Sequence, residues 1–146
     1  HGVVRAFAAE GARIVVADVK SVEGEQLVAQ VRSEFGVEAI FVKTDVTQKA
    51  DVEGMVGAAV ETWGSIDILV NNAWGGGRFA RVEENTDEDL DHAFAMAPYA
   101  SLWAMQAAFP TMRANRWGRV INMCSLNGVN AHMGTLDYNM AKEAQR

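Results

Sequence analysis

The sequence predicts an α/β domain in which helices cover both faces of a doubly wound parallel sheet. The first observation is a set of short runs, rich in β-branched residues and nearly continuous in apolar side chains, as strands buried on both faces are. The second is that the segments between these runs switch to a helical period. The third is their alternation along the chain, which places a crossover helix between successive parallel strands. Sheets of this kind bind ligands outside the carboxyl ends of their strands.

Taken in order, the first strand-like run is Arg13-Ile14-Val15-Val16-Ala17-Asp18. Leu27, Val28, Val31 and Phe35 then form an apolar helical stripe that stops at Gly36, a residue suited to the left-handed turn after a helix. Ala39-Ile40-Phe41-Val42-Lys43-Thr44 is the second run. Val52, Met55, Val56, Ala59, Val60 and Trp63 fall at i, i+3, i+4, i+7, i+8 and i+11, one face of a helix that Thr47 is placed to cap. Ile66-Asp67-Ile68-Leu69-Val70-Asn71 is the third run. A long helical segment follows from about Thr86 to about Asn115. Pro98 removes a backbone donor from it, so a kink is expected near Ala97-Pro98. Arg119-Val120-Ile121-Asn122-Met123-Cys124 is the last run, and a helix carrying Tyr138 and Lys142 closes the chain.

Composition narrows the class. The 146 residues suffice for one domain, spanning 1–146. A content of 49% apolar and 22% charged residues is that of an ordinary folded protein rather than a disordered tract. A net charge of −6, with no cluster of Lys and Arg, argues against a nucleic-acid surface. No apolar run approaches the ~18 residues of a membrane span, and the N-terminus lacks the layout of a signal peptide. The single cysteine, Cys124, precludes an internal disulfide and fits a reducing compartment, so a cytoplasmic location is expected.

The chemistry gathers near the C-terminus. Ser125 precedes Tyr138 by thirteen residues, and Lys142 follows Tyr138 by four, one helical turn along the same face. A free phenol has a pKa of ~10 and is a poor base at neutral pH. Lowering that value by ~3 units takes ~4 kcal/mol of preference for the phenolate. One cation ~4 Å away at an effective dielectric of ~20 supplies roughly that much. A hydroxyl, a phenol and an ammonium in this order can therefore move a proton.

These residues, with Asp18 ending the first run, Asp45-Val46 after the second and Asn71-Asn72-Ala73 closing the third, resemble the short-chain dehydrogenase/reductase (SDR) family in its compact branch. The resemblance implies a Rossmann-like fold and transfer of a hydride between a nicotinamide cofactor and an alcohol or ketone. It implies that Tyr138 is the general acid/base, that Ser125 donates to the substrate oxygen, and that Lys142 holds the nicotinamide ribose. Asp18 would accept hydrogen bonds from the adenosine ribose and disfavour a 2′-phosphate, so NAD is expected, with NADP left open because Lys20 lies close. Asp45 and Val46 would lie against the adenine, and Asn72 and Ala73 would line the cofactor groove. No residue is assigned to a metal. Cys124 reads as a buried strand residue, and His132 and Asp137 as solvated loop residues. The family commonly pairs its kinked helix across a dimer, so a homodimer or homotetramer is expected; Leu102, Met105 and Phe109 face either that contact or the sheet.

The chain departs from the family pattern in several places. A glycine-rich phosphate loop is absent, and with it the first strand, which in the 3-2-1-4-5-6 order stands at the sheet's centre. The sixth and later strands are absent too. The sheet is thus expected to be incomplete, part of a chain of roughly 250 residues, and the 146-residue piece alone to be inactive. Ala97 stands where the family carries a catalytic asparagine, with Pro98 expected to keep the bend. Trp74 replaces a glycine after Asn71-Asn72-Ala73, ahead of Gly75-Gly76-Gly77. The alternative function is a non-catalytic nucleotide-binding or scaffolding homologue, which Ala97 favours and the intact Ser125, Tyr138 and Lys142 oppose.

Overall fold

A computed structural model describes all residues from His1 to Arg146. The chain opens with helix α1 (Gly2–Ala9) and alternates through β1 (Ile14–Asp18), α2 (Ser21–Phe35), β2 (Ala39–Lys43), α3 (Lys49–Trp63) and β3 (Ile68–Asn71). After a single 3-10 turn at Val82–Glu84 come α4 (Asp87–Phe94), a π-turn (Ala95–Tyr99) and α5 (Ala100–Ala114). Strand β4 (Arg119–Asn122), α6 (Leu126–Asn130) and α7 (Leu136–Gln145) complete it. Every apolar run picked from the sequence is a strand, and each strand is parallel to its partner.

The strands form two separate pairs. β1 lies beside β2 with Ile14 opposite Ala39 and Asp18 opposite Lys43. β3 lies beside β4 with Ile68 opposite Arg119 and Asn71 opposite Asn122. Between β1 and β3 runs a cleft of about 760 Å³, lined by Ile14–Asp18 on one side and Ile68–Asn71 on the other. Adjacent strands stand ~4.8 Å apart, so a gap of one strand separates sheet edges by about twice that. The architecture is a Rossmann-like parallel sheet whose central position this chain does not fill.

Each half has its own core. Val16 and Ile14 of β1 bury with Leu27, Val28 and Val31 of α2 and Ala8 of α1. In the second half, Val52 and Val56 of α3 meet Leu69 of β3 and Ala104, Ala108 and Met112 of α5. Full burial of a valine such as Val31, Val52 or Val56 contributes ~1.5–3 kcal/mol, so these stripes fix how each helix docks. Gly36 ends α2 at φ 68°, a left-handed conformation that a side chain disfavours.

Two local expectations change. Thr47 does not cap α3: its hydroxyl donates to Asp45 at 2.7 Å, and Gln48 is the first flanking residue of the helix. The Asp45 carboxylate out-competes the helix end because it also takes the Thr47 N–H, closing a local turn. The kink at Pro98 takes the form of a π-turn, a wider turn that accommodates a residue with no N–H inside a continuous helix. Thr86 caps α4 and Asp89 returns the bond to its backbone, a reciprocal pair that fixes where the long segment starts.

Candidate active site

β3, β4 and α7 position the site. At the carboxyl ends of the two strands Asn71 Nδ2 donates to Asn122 Oδ1 at 2.8 Å, which locks their register. Beyond β4 the backbone carries Met123, Cys124 and Ser125 over to α6. Ser125 caps that short helix, its Oγ accepting from the Asn127 N–H at 3.2 Å. A serine hydroxyl has one proton and two lone pairs, so this bond leaves the proton free to donate.

Lys142 is 3% exposed, and its Nζ donates to the Met123 carbonyl at 3.0 Å and to Gln145 Oε1 at 2.9 Å. Burial holds its pKa below the ordinary value, with the nearby Cys124 thiol acting the other way. The ammonium also lies 5.4 Å from the centre of the Trp74 indole. Tyr138, one turn earlier, meets the same indole edge-on with ring centres 4.7 Å apart. Trp74 thus contacts both the Tyr138 ring and the Lys142 ammonium. The loop that carries it is held by His92, whose Nε2 pairs with the Gly75 carbonyl at 3.0 Å. A side chain on Gly76, at φ 82°, would strike that imidazole.

Asp18, Val46, Asn72 and Ala73 line the cleft between the two sheets, as does the start of α1 at His1 and Gly2. Asp18 is exposed and one of its oxygens accepts from the Lys20 N–H at 3.0 Å, leaving the second unengaged by the protein. Asp45 is not among the lining residues; its Oδ1 is committed to the Thr47 turn. Ser125, Tyr138 and Lys142 do not line this cleft; Ser125 follows β4, and Tyr138 and Lys142 stand on α7. No hydrogen bond joins Ser125 to Tyr138, or Tyr138 to Lys142.

Other placements differ from expectation. Asp137 is not a solvated loop residue: it is 3% exposed in the first turn of α7, with Oδ1 unpartnered beside the Trp74 loop. His132 is exposed, in keeping with its reading as a solvated residue. Cys124 is half-buried just beyond β4. Ala97 is fully buried against Ala93 and Ala141, so α7 approaches the π-turn through methyl groups. Leu102 and Phe109 face outward while Met105 packs on the core, dividing the residues that the sequence left undecided. The buried Gln145 and Ser101 are not evident from sequence; the one signal is Ser101, a polar residue on the otherwise apolar buried face of α5.

The fold agrees with that of solved structures, and the sequence with that of known relatives. The sequence model described as short chain dehydrogenase matches residues 1–146. An uncharacterized oxidoreductase of Bacillus subtilis (strain 168) is 36% identical over 143 residues, covering 96% of this chain and 54% of its own length. A sorbitol dehydrogenase of Cereibacter sphaeroides is 39% identical over 135 residues, covering 88% and 50% respectively. Among solved structures, L-sorbose reductase from Gluconobacter frateurii, complexed with NADPH and L-sorbose, superposes with a TM-score of 0.93 at 29% identity, over 98% of this chain and 54% of that one. NAD+-bound xylitol dehydrogenase gives 0.89 at 30% identity, over 99% and 56%. The chain therefore spans about half the length of the relatives it matches. Because the family's sequence model matches the whole of residues 1–146, this chain belongs to the short-chain dehydrogenase family.

Proposed function

We propose that the protein carrying these residues is an NAD-dependent oxidoreductase that interconverts a small alcohol, of the polyol or sugar class, and its ketone. The observation that supports this reading is that Ser125 follows β4 directly and that Tyr138 and Lys142, one turn apart on α7, both contact the Trp74 indole. The relatives named above for sorbitol, sorbose and xylitol support the substrate class.

The residues present fit a nicotinamide dinucleotide. Asp18 has a carboxylate oxygen free for an adenosine ribose, and Val46, Asn72 and Ala73 line the same cleft. The N-terminal N–H groups of α1 open into the same cleft, where a helix start favours phosphate. When bound, the cofactor supplies the hydride acceptor or donor. Ser125 turns its free proton to the substrate oxygen as charge develops there. Tyr138 takes the hydroxyl proton in oxidation and returns it in reduction. Lys142, anchored by Met123 and Gln145, provides fixed positive charge beside that exchange.

Turnover of a polyol panel by the full-length protein, followed by nicotinamide absorbance with NAD and then NADP, tests the proposal. Tyr138→Phe should lower kcat/KM by about 10²–10⁴-fold, the usual worth of a general acid/base. Unchanged turnover in that variant would sink the assignment, and a preference for NADP would overturn the reading of Asp18. Residues 1–146 alone are proposed to be inactive and to bind NAD weakly, because β1 and β3 lack a common neighbour; a micromolar dissociation constant by calorimetry would contradict this. Nucleotide binding by the full-length protein with no turnover of any alcohol would favour the scaffolding reading, which the methyl of Ala97 supports.

A further inference from the structure

Beyond Lys142 runs a buried polar chain, through Gln145 to Ser101, whose far end the reading above leaves without a role. Lys142 Nζ donates to Gln145 Oε1 at 2.9 Å, and Gln145 Nε2 donates to Ser101 Oγ at 2.8 Å. Lys142, Gln145 and Ser101 are 3%, 7% and 3% exposed. The Gln145 main chain is also tied to the sheet, its carbonyl accepting from Asn122 Nδ2 at 3.3 Å. Asn122 in turn pairs with Asn71, so the chain runs from α5 through α7 to the carboxyl ends of β3 and β4.

The sequence spacing explains the contact. Ala97 and Ser101 lie four residues apart on the kinked helix, and Ala141 and Gln145 lie four apart on α7. Residues so spaced share a helix face. Ala97 packs with Ala141 through small side chains, which lets the helices approach closely. One turn on, Ser101 meets Gln145. Ser101 thus holds the Gln145 amide, whose oxygen faces the Lys142 ammonium. A buried amide or hydroxyl is tolerated only when paired, and each here is paired to a member of the chain.

We infer that Gln145 is a positioning residue for Lys142, held in place by Ser101. The inference rests on the dehydrogenase reading for its consequence in catalysis, but the placement of the ammonium can be tested separately. The ionisable groups near Lys142 are Cys124 after β4, Asp137, Tyr138 and Glu143 on α7 itself, and Arg146 at its end, which pairs with Glu143. α4 brings His92, whose ring is engaged by the Gly75 carbonyl, while Trp74 and Ser101 approach uncharged.

The experiment compares Gln145→Leu, Gln145→Glu and Ser101→Ala with the unchanged full-length protein. One readout is the titration of the Lys142 ammonium by NMR without cofactor, its signal assigned by loss in Lys142→Arg. The other is the pH profile of kcat/KM for oxidation of sorbitol with NAD. Gln145→Leu removes an acceptor from a cation, so Lys142 should titrate at lower pH and kcat/KM should fall roughly tenfold. The acid limb of the profile should move to higher pH. Gln145→Glu keeps the acceptor and adds a charge, so Lys142 should titrate at higher pH with kcat/KM within about threefold of the unchanged protein. Ser101→Ala should shift both readouts in the direction of Gln145→Leu, by less. An unaltered Lys142 titration and pH profile in Gln145→Leu would overturn the inference and leave the dehydrogenase reading intact. If that variant does not fold, unaltered readouts in Ser101→Ala and Gln145→Glu would overturn it equally. Absence of turnover in the unchanged protein would defeat the dehydrogenase reading, and the NMR titration would still decide the role of Gln145.

Discussion

The Trp74 indole meets the Tyr138 ring edge-on, with centres 4.7 Å apart and planes at 71°, and the Lys142 ammonium lies 5.4 Å from the same indole. An aromatic pair of this geometry contributes ~0.5–1.5 kcal/mol beyond its area, and a cation over an indole a similar amount. Trp74 therefore steadies both Tyr138 and Lys142. Gly77 lies close enough that an added side chain would press on the Trp74 ring at 3.3 Å, so the glycine run leaves the indole room.

Trp74→Gly should accordingly lower the unfolding free energy by about 2–4 kcal/mol, since it removes both contacts and the ring's buried area. It should also raise kcat/KM for bulky secondary alcohols relative to small ones, because the space beside Tyr138 opens. Denaturant unfolding and a matched pair of small and bulky substrates measure the two effects. A variant as stable as the parent, with the same substrate ratio, would show that the indole only borders the loop.

Lys142 sets a pH dependence of stability. Its pKa in the fold lies below the ordinary 10.5, chiefly because of burial. Between the folded and unfolded values the unfolded chain holds the extra proton, so stability rises with pH across that window. Below the folded value the burial penalty is present in full. The difference in unfolding free energy between the parent and Lys142→Met, measured as pH is raised toward 10.5, should therefore move in the parent's favour. A flat difference would mean that the ammonium is as well solvated in the fold as out of it.

Much of this arrangement was legible in the sequence because it is local. The strand runs, the helical stripes, the stop at Gly36 and the break at Pro98 all follow from period and backbone chemistry within a few residues. The division into two strand pairs followed from register against a known strand order. The side-chain partners did not. Ser101 and Gln145 are 44 residues apart, and only the docking of α7 on α5 brings them together. Asp45 was visible as a strand-end carboxylate, but whether it would face a ligand or close a turn depended on the Thr47 hydroxyl choosing it over the helix end. The direction of Lys142 was open for the same reason: a helix places its Cα one turn from Tyr138, while its four-carbon stem goes to the buried acceptors offered by Met123 and Gln145.

The outward face of α5 carries the last prediction. Leu102 and Phe109 are 45% and 60% exposed, one helix face apart by seven residues, and Tyr99 at the end of the π-turn is 51% exposed beside them. Apolar side chains repeated along one exposed helix face suit a second copy of the same helix, because a two-fold contact matches each side chain with its equivalent. A helix–helix contact of this kind is expected to make the full-length protein a homodimer, or a homotetramer if a second face also pairs. Leu102→Glu combined with Phe109→Glu places four carboxylates in that contact, two from each copy, where unpaired charge is strongly disfavoured. Both positions are solvent-facing in the single chain, so the fold should survive. Sedimentation velocity should then show the parent as an oligomer and the double variant as a monomer with unchanged helical circular dichroism. An assembly that is unaffected by both charges would place the interface elsewhere.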